Sequence, residues 1–266
     1  MACSDPPRGT LEHWCIDFIG TTNLSAKLAP PDTAGLAFEI DPPERRIAAP
    51  GRPSELVVVE RSSSAPRAGA RLLHTFVHHE LQAAELFAWA ILAFPRTPQT
   101  FRVGLLALCR EELEHLQLYL EHMRTLGTEF GAYPVRDWFW QRVGRCETPA
   151  SFVALQGLGL EGANLDHCAR FASQFRAAGD EQGARILERV QQDEIGHVAF
   201  AAHWFEHFTG APLDFGRWRA SLPAPLTPAL MQGRPLALEA RRRAGMDEAF
   251  LEALAAEPPI DPRRRA

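Results

Sequence analysis

Between Glu80 and His197 one arrangement of acidic and imidazole residues occurs twice, and it leaves few folds open to the chain. Glu80 is followed 32 residues later by the Glu-x-x-His of Glu112 and His115, and Glu161 is followed 33 residues later by that of Glu194 and His197. Long apolar segments carry all six residues. Four carboxylates and two imidazoles directed inward from four facing helices form the ligand set of a di-iron or di-manganese site, two helices giving one Glu each and two giving a Glu-x-x-His. With 22 glutamates and 10 histidines in 266 residues, roughly one Glu-x-x-His arises by chance. One copy would carry no weight, whereas two copies at matching spacing from an upstream Glu do.

The segments themselves read as helices. "GARLLHTFVHHELQAAELFAWAILAF", from Gly69 to Phe94, is apolar almost all round and predicts a helix buried on most sides. After "PRTPQT", Thr97 as N-cap and Pro98 at the first helical position open a second helix that runs to about Leu126. A connection of about 20 residues, "TEFGAYPVRDWFWQRVGRCETP", is too long for a hairpin and suits a crossover, with Trp138, Phe139 and Trp140 pinning it. A third helix is expected from Pro149 to Ala178 and a fourth, capped by Asp180, to about Phe208. The pattern predicts an all-α fold, a four-helix bundle of two antiparallel pairs with one long crossover, spanning residues 69–210. Residues 1–68 read as an irregular arm packed on the bundle, with a short helix at "TLEHWCIDFIG" and one strand at "ELVVVE". Residues 211–266 read as an extension with one further amphipathic helix, "LALEARRRAGMDEAFLEALA".

In an antiparallel pair, residues equally distant from the loop lie at the same height. Glu80 and Glu112 are centred on residue 96, inside the first short loop, and Glu161 and Glu194 on 177.5, beside Gly179. Glu85, the rival ligand on the first helix, is centred with Glu112 on 98.5, already in the second helix, and lies about 140° around the helix from Glu80. The flanking faces are apolar, which opposes reading these residues as ordinary solvated pairs on helix surfaces. Buried acidic groups cost several kcal/mol each unless paired, and two divalent cations would neutralise four carboxylates.

Other features bound the function. A net charge of −5 and a sequence pI near 6.1 give no broad basic field, so neither nucleic acid nor an anionic membrane is a favoured partner. The five cysteines lack a Cys-x-x-Cys and read as reduced thiols. Neither a leader peptide nor a spanning segment is evident, and a cytoplasmic location is expected. Asp193, next to Glu194, is placed to orient a metal-bound imidazole on a neighbouring helix, with a surface Asp as the other reading. Gly157, Gly159 and Gly162 around Glu161 signify either close helix packing or room for a substrate or oxygen. His74, His78, His79 and His122 are ordinary hydrogen-bonding histidines or proton carriers.

These residues resemble the ferritin-like di-iron carboxylate superfamily, which includes bacterioferritin, rubrerythrin, the ribonucleotide reductase small subunit and a tRNA-modifying hydroxylase. The phrases "LLHTFVHHELQAAEL", "GLGLEGANLD", "DEIGHVAFAAHWF" and "GRPLALEARRRAG", with "TTNLSAKLAPP" near the N-terminus, are similar to a bacterial family of uncharacterised ferritin-like proteins. The resemblance implies metal ligation by Glu80, Glu112, His115, Glu161, Glu194 and His197. Tyr119, four residues after His115, stands where the ribonucleotide reductase small subunit carries its radical tyrosine, with core filler as the plain alternative. The function expected is an oxidoreductase with two divalent metals, Fe/Fe or Mn/Fe. It would activate dioxygen or peroxide to oxidise a small organic substrate, with electrons from a separate donor and a homo-oligomer left open. Ferritin- or rubrerythrin-type iron oxidation or peroxide scavenging, and a tRNA-modifying hydroxylase, are the alternatives.

Overall fold

The computed structural model describes residues 5–44, 68–133 and 136–258. Among them every regular element is helical, and the one β-bridge joins Thr10 and Ala37 in isolation. "ELVVVE", expected as a strand, lies outside the described residues. The chain divides into two compact units, Met1–Gly144 and Arg145–Ala266.

The first unit is built on a helical hairpin. Helices α1 (Leu11–Gly20) and α2 (Leu24–Leu28) precede α3 (Ala68–Ala93) and α4 (Gln99–Thr125), and a short α5 (Trp140–Val143) follows. Every residue from Glu80 to Pro95 is buried, as the all-round apolar sequence requires, and its two polar exceptions in α3 beyond Glu80 are both engaged. Glu85 accepts from Lys27 Nζ at 2.9 Å and from Trp140 Nε1 at 2.9 Å. Gln82 donates to the His78 carbonyl and accepts from the Phe139 amide at 3.2 Å. Trp140 and Phe139 thus fasten the connection that follows α4 to α3, as the aromatic run predicts. The N-cap of α4 is Pro98 rather than Thr97; the Thr97 hydroxyl is already used by the Phe94 carbonyl, at 2.7 Å.

The N-terminal segment carries the expected short helix, α1, and one further turn of helix, α2. Thr10 caps α1 by accepting from the His13 amide, and Asn23 caps α2 in the same way. Lys27 donates to the carbonyls of Phe18 and Ile19, at 2.6 and 3.1 Å, satisfying the otherwise open end of α1. Glu12 and Arg102 form a buried ion pair at 2.6 Å that ties α1 to α4.

The second unit holds the other hairpin. Helix α6 (Pro149–Phe152), opened by a Thr148–Ser151 capping box, runs into a π-helical stretch, Val153–Glu161, and then α7 (Gly162–Ala177). Asp180 caps α8 (Glu181–Thr209) by accepting from the Gly183 amide at 2.8 Å, and Gly210, at φ +67°, ends it in the left-handed region. The long helix expected from Pro149 to Ala178 is therefore unbroken but widened in its first half. Two contacts support the widening. The Ala154 carbonyl accepts from Trp218 Nε1 at 2.9 Å. Gly157 brings the backbone so close to α8 that a Cβ there would stand 2.2 Å from the Cβ of Ala201.

The C-terminal part forms three short helices, α9 (Phe215–Ser221), α10 (Leu238–Arg243) and α11 (Glu248–Ala256). The single helix expected across the last two is broken at Gly245, whose φ of +94° ends α10, and Asp247 then caps α11 through the Phe250 amide. Asp166 on α7 anchors this tail. It accepts from the Gly233 and Ala237 amides, at 2.8 and 2.7 Å, and from Arg241 at 2.7 and 3.0 Å, with both charged side chains out of solvent.

Candidate metal centre

In the first unit α3 and α4 face one another across the five residues Phe94–Pro98, centred on residue 96. That register sets Glu80 level with Glu112, and the i, i+3 spacing turns His115 to the same face as Glu112. All three are buried, and each offers a ligand atom within 4.8 Å of those of the other two. Glu112 Oε2 and His115 Nδ1 are 3.5 Å apart. Leu105, Leu108 and Leu116 surround Glu112 along α4, and Leu73, Val77 and Phe87 lie on α3 with Glu80. Two carboxylates and an imidazole held this close, away from water, repel unless a proton or a cation stands among them. Oxygen and imidazole donors of this kind suit iron, manganese or zinc in their divalent states.

The neighbouring groups sharpen that donor set. Glu85 is already committed to Lys27 and Trp140, which separates it from the Glu80 face. Cys109, one turn before Glu112, is a buried free thiol. Burial, and then the Glu112 charge, push its pKa well up, so it stays protonated. Tyr119, one turn beyond His115, is 1% exposed, with its ring 5.5 Å from that of Phe76. His74 accepts from the Gly131 and Tyr133 amides at Nε2, at 3.1 and 3.4 Å. His79 stacks on Phe139 with ring centroids 4.7 Å apart.

In the second unit Glu161 closes the π-helical stretch, and Glu194 and His197 lie one turn apart on α8. Glu194 Oε2 is 3.1 Å from His197 Nδ1, and Glu161, Glu194 and His197 are all buried. The loop between α7 and α8, residues 178–180, is centred on 179, slightly beyond the centre of the Glu161–Glu194 pair. The residue level with Glu194 is accordingly Asn164, whose Nδ2 donates to Glu194 Oε1 at 2.9 Å. Glu161 Oε1 accepts from Gln156 Nε2. Sequence reasoning passed over both amides, although centring the hairpin on Gly179 would have found Asn164. Asp193 is half-exposed and lies 3.5 Å from Arg189 on its own helix. The glycines leave no spare room: a side chain at Gly157 would meet Ala201, at Gly159 Met231 and at Gly162 Arg241. Close packing is what they serve.

The four described cysteines are free thiols, and no helix among the described residues is long and apolar enough to cross a membrane.

The fold and these buried side chains define a class: a protein helical among its described residues, with a carboxylate–imidazole cluster able to take a metal ion. Residues 21–252 match the family described as protein of unknown function (DUF455), and the chain belongs to it. It is similar to an uncharacterized protein of Haemophilus influenzae, 29% identical over 178 residues that cover 63% of this chain and 62% of that relative. The chain thus matches about three fifths of the length of this curated relative. No solved structure matches.

Proposed function

We propose that this protein is a di-metal carboxylate oxidoreductase. Glu80, Glu112 and His115 act together with Glu161, Glu194 and His197 to hold two divalent ions, iron in both positions or one manganese and one iron. The observation that carries the reading is the convergence of Glu80, Glu112 and His115, buried and with ligand atoms within 4.8 Å of one another. The recurrence of the same pattern in the second hairpin extends it from one ion to two. Two divalent ions offset the charge of four carboxylates that burial alone would penalise.

When bound, such ions supply redox chemistry on dioxygen or peroxide, directed at a small organic substrate. The chain's own side chains supply the donors, fix them and keep water away. The Asn164 amide holds one oxygen of Glu194 and leaves the other beside His197. The part of α3 from Glu80 to Ala93, buried throughout, walls the Glu80 side largely with hydrocarbon. Reducing equivalents come from a separate donor protein.

Metal analysis by mass spectrometry, on protein purified without added metal and again after anaerobic reconstitution with Fe(II), tests the reading. Two ions per chain are expected, with Glu112→Ala and Glu194→Ala each losing at least one. Retention of two ions by both variants, or no ion in the reconstituted wild type, overturns it. An oxygen-dependent absorption change in the reduced, loaded protein is expected. A many-subunit shell with a mineral core would turn the reading to iron storage.

A further inference from the structure

Within the π-helical stretch Val153–Glu161, "VALQGLGLE", the polar side chains are Gln156 and Glu161. Both are buried, at 0% and 4% exposure. On an α-helix, residues five apart point about 140° away from each other. A π turn closes its ring from i to i+5 and brings them onto one face. Here that geometry sets the Gln156 amide on the Glu161 carboxylate, with Nε2 donating to Oε1. The orientation of the amide follows from chemistry: reversing it would face a carbonyl oxygen against a carboxylate oxygen.

The other end of the same side chain is unusual. Gln156 Oε1 is shut away from solvent and has no hydrogen-bond partner among the described residues. A glutamine kept only for packing would satisfy both ends or be replaced by an apolar residue, since a buried unpaired carbonyl is destabilising. The backbone around it has little freedom to rearrange, because Gly157 is pressed against Ala201 and Gly159 against Met231.

We propose that Gln156 is a positioning residue of the metal centre: its amide holds Oε1 of Glu161, so that the carboxylate is presented in one orientation, and the π turn exists to bring the two together. Its carbonyl oxygen remains as an acceptor for a water or hydroxyl group that arrives with the metal. The inference rests on Glu161 being a ligand, and so on the function proposed above.

The test is titration of Co(II) into metal-free wild-type, Gln156→Met and Gln156→Glu protein. Equilibrium dialysis gives stoichiometry and affinity, visible absorption reports the coordination of each ion, and melting of the metal-free proteins reports the fold. Wild type should bind two ions. Gln156→Met, similar in length but without either hydrogen-bonding group, should bind one of them 10- to 100-fold more weakly, with altered absorption for that ion and a metal-free melting temperature close to that of wild type. Gln156→Glu keeps the volume and sets a second carboxylate against Glu161, so it should show the same altered ion, and it decides the matter if the methionine variant does not fold. Two ions bound with unchanged affinity and spectrum in the variants overturn the role of Gln156 and leave the proposed function standing. No Co(II) bound by the wild type overturns both.

Discussion

Lys27 Nζ lies 2.9 Å from Glu85 Oε1, and neither side chain is exposed to solvent. The pair joins α2 to α3, five residues beyond Glu80, and Lys27 also closes the carbonyl end of α1. A buried charge that loses its partner costs about 3–5 kcal/mol. Lys27→Met should therefore destabilise the protein by about that amount in urea unfolding. Lys27→Met with Glu85→Gln, which removes the stranded charge and keeps an acceptor for Trp140, should recover about half of the loss. Equal effects of the single and double variants would mean that Lys27 acts through its helix-capping bonds alone.

The close approach of Gly157 to Ala201 gives a second prediction. A methyl group at position 157 would stand 2.2 Å from the Ala201 Cβ, far inside van der Waals contact, and Ala201 is itself only 2% exposed. Gly157→Ala should cost about 1–3 kcal/mol by overpacking. Adding Ala201→Gly should restore part of it, less the ~1 kcal/mol that a helical glycine costs. Thermal melting of the single and double variants gives the coupling, and simple additivity would contradict the packing.

How much of this was legible beforehand depended on which interactions are local. Glu80, Glu112 and His115 could be placed together because a five-residue loop fixes the register of α3 and α4 and a three-residue spacing fixes the face. The cap at Asp180 follows from residue type. The ion pairs Glu12–Arg102 and Lys27–Glu85 could not be found, because each joins residues far apart in sequence whose elements meet only in the tertiary fold. The widened helix was missed for a related reason. Nothing in "FVALQGLGLEG" breaks a helix outright, and the glycines signal close approach without saying that the turn expands to achieve it. The apolar periodicity resumes beyond Gly245 and so predicts one tail helix where the structure has two.

His74 sets a pH dependence of known sign. Burial lowers its pKa from 6.5 to about 4, and in the neutral form Nε2 accepts from the Gly131 and Tyr133 amides. Between those values the unfolded chain binds more protons than the folded one, so stability rises with pH across the window. It is complete above about 6.5 and is lost as pH falls toward 4, by up to about 3 kcal/mol. His167, also lowered to about 4, by burial and then by Arg170, adds a similar slope. Comparison of wild type with His74→Gln, which keeps an acceptor near Nε2 but does not titrate, isolates the His74 share. Urea unfolding at pH 7 and pH 5 should show a smaller loss in the variant, and identical losses would remove His74 as a source.

Glu112 offers the most direct separation of a ligand from a structural acid. Its side chain is fully buried, with ligand atoms of Glu80 and His115 within 4.8 Å of its own. In the metal-free protein a second carboxylate this close is a burden, as binding sites commonly are to the folds that carry them. Glu112→Gln, equal in size and without charge, should make the metal-free protein more stable, by about 1–2 kcal/mol. Metal reverses the order. An ion at 100 times its dissociation constant stabilises the folded state by about 2.7 kcal/mol, and the variant, short of one charged donor, gains less. The melting temperatures of wild type and Glu112→Gln should therefore cross between chelator-treated protein and protein with excess Mn(II). A structural acid would give the same difference in both conditions, because a side chain that does not touch the ion cannot distinguish its presence from its removal.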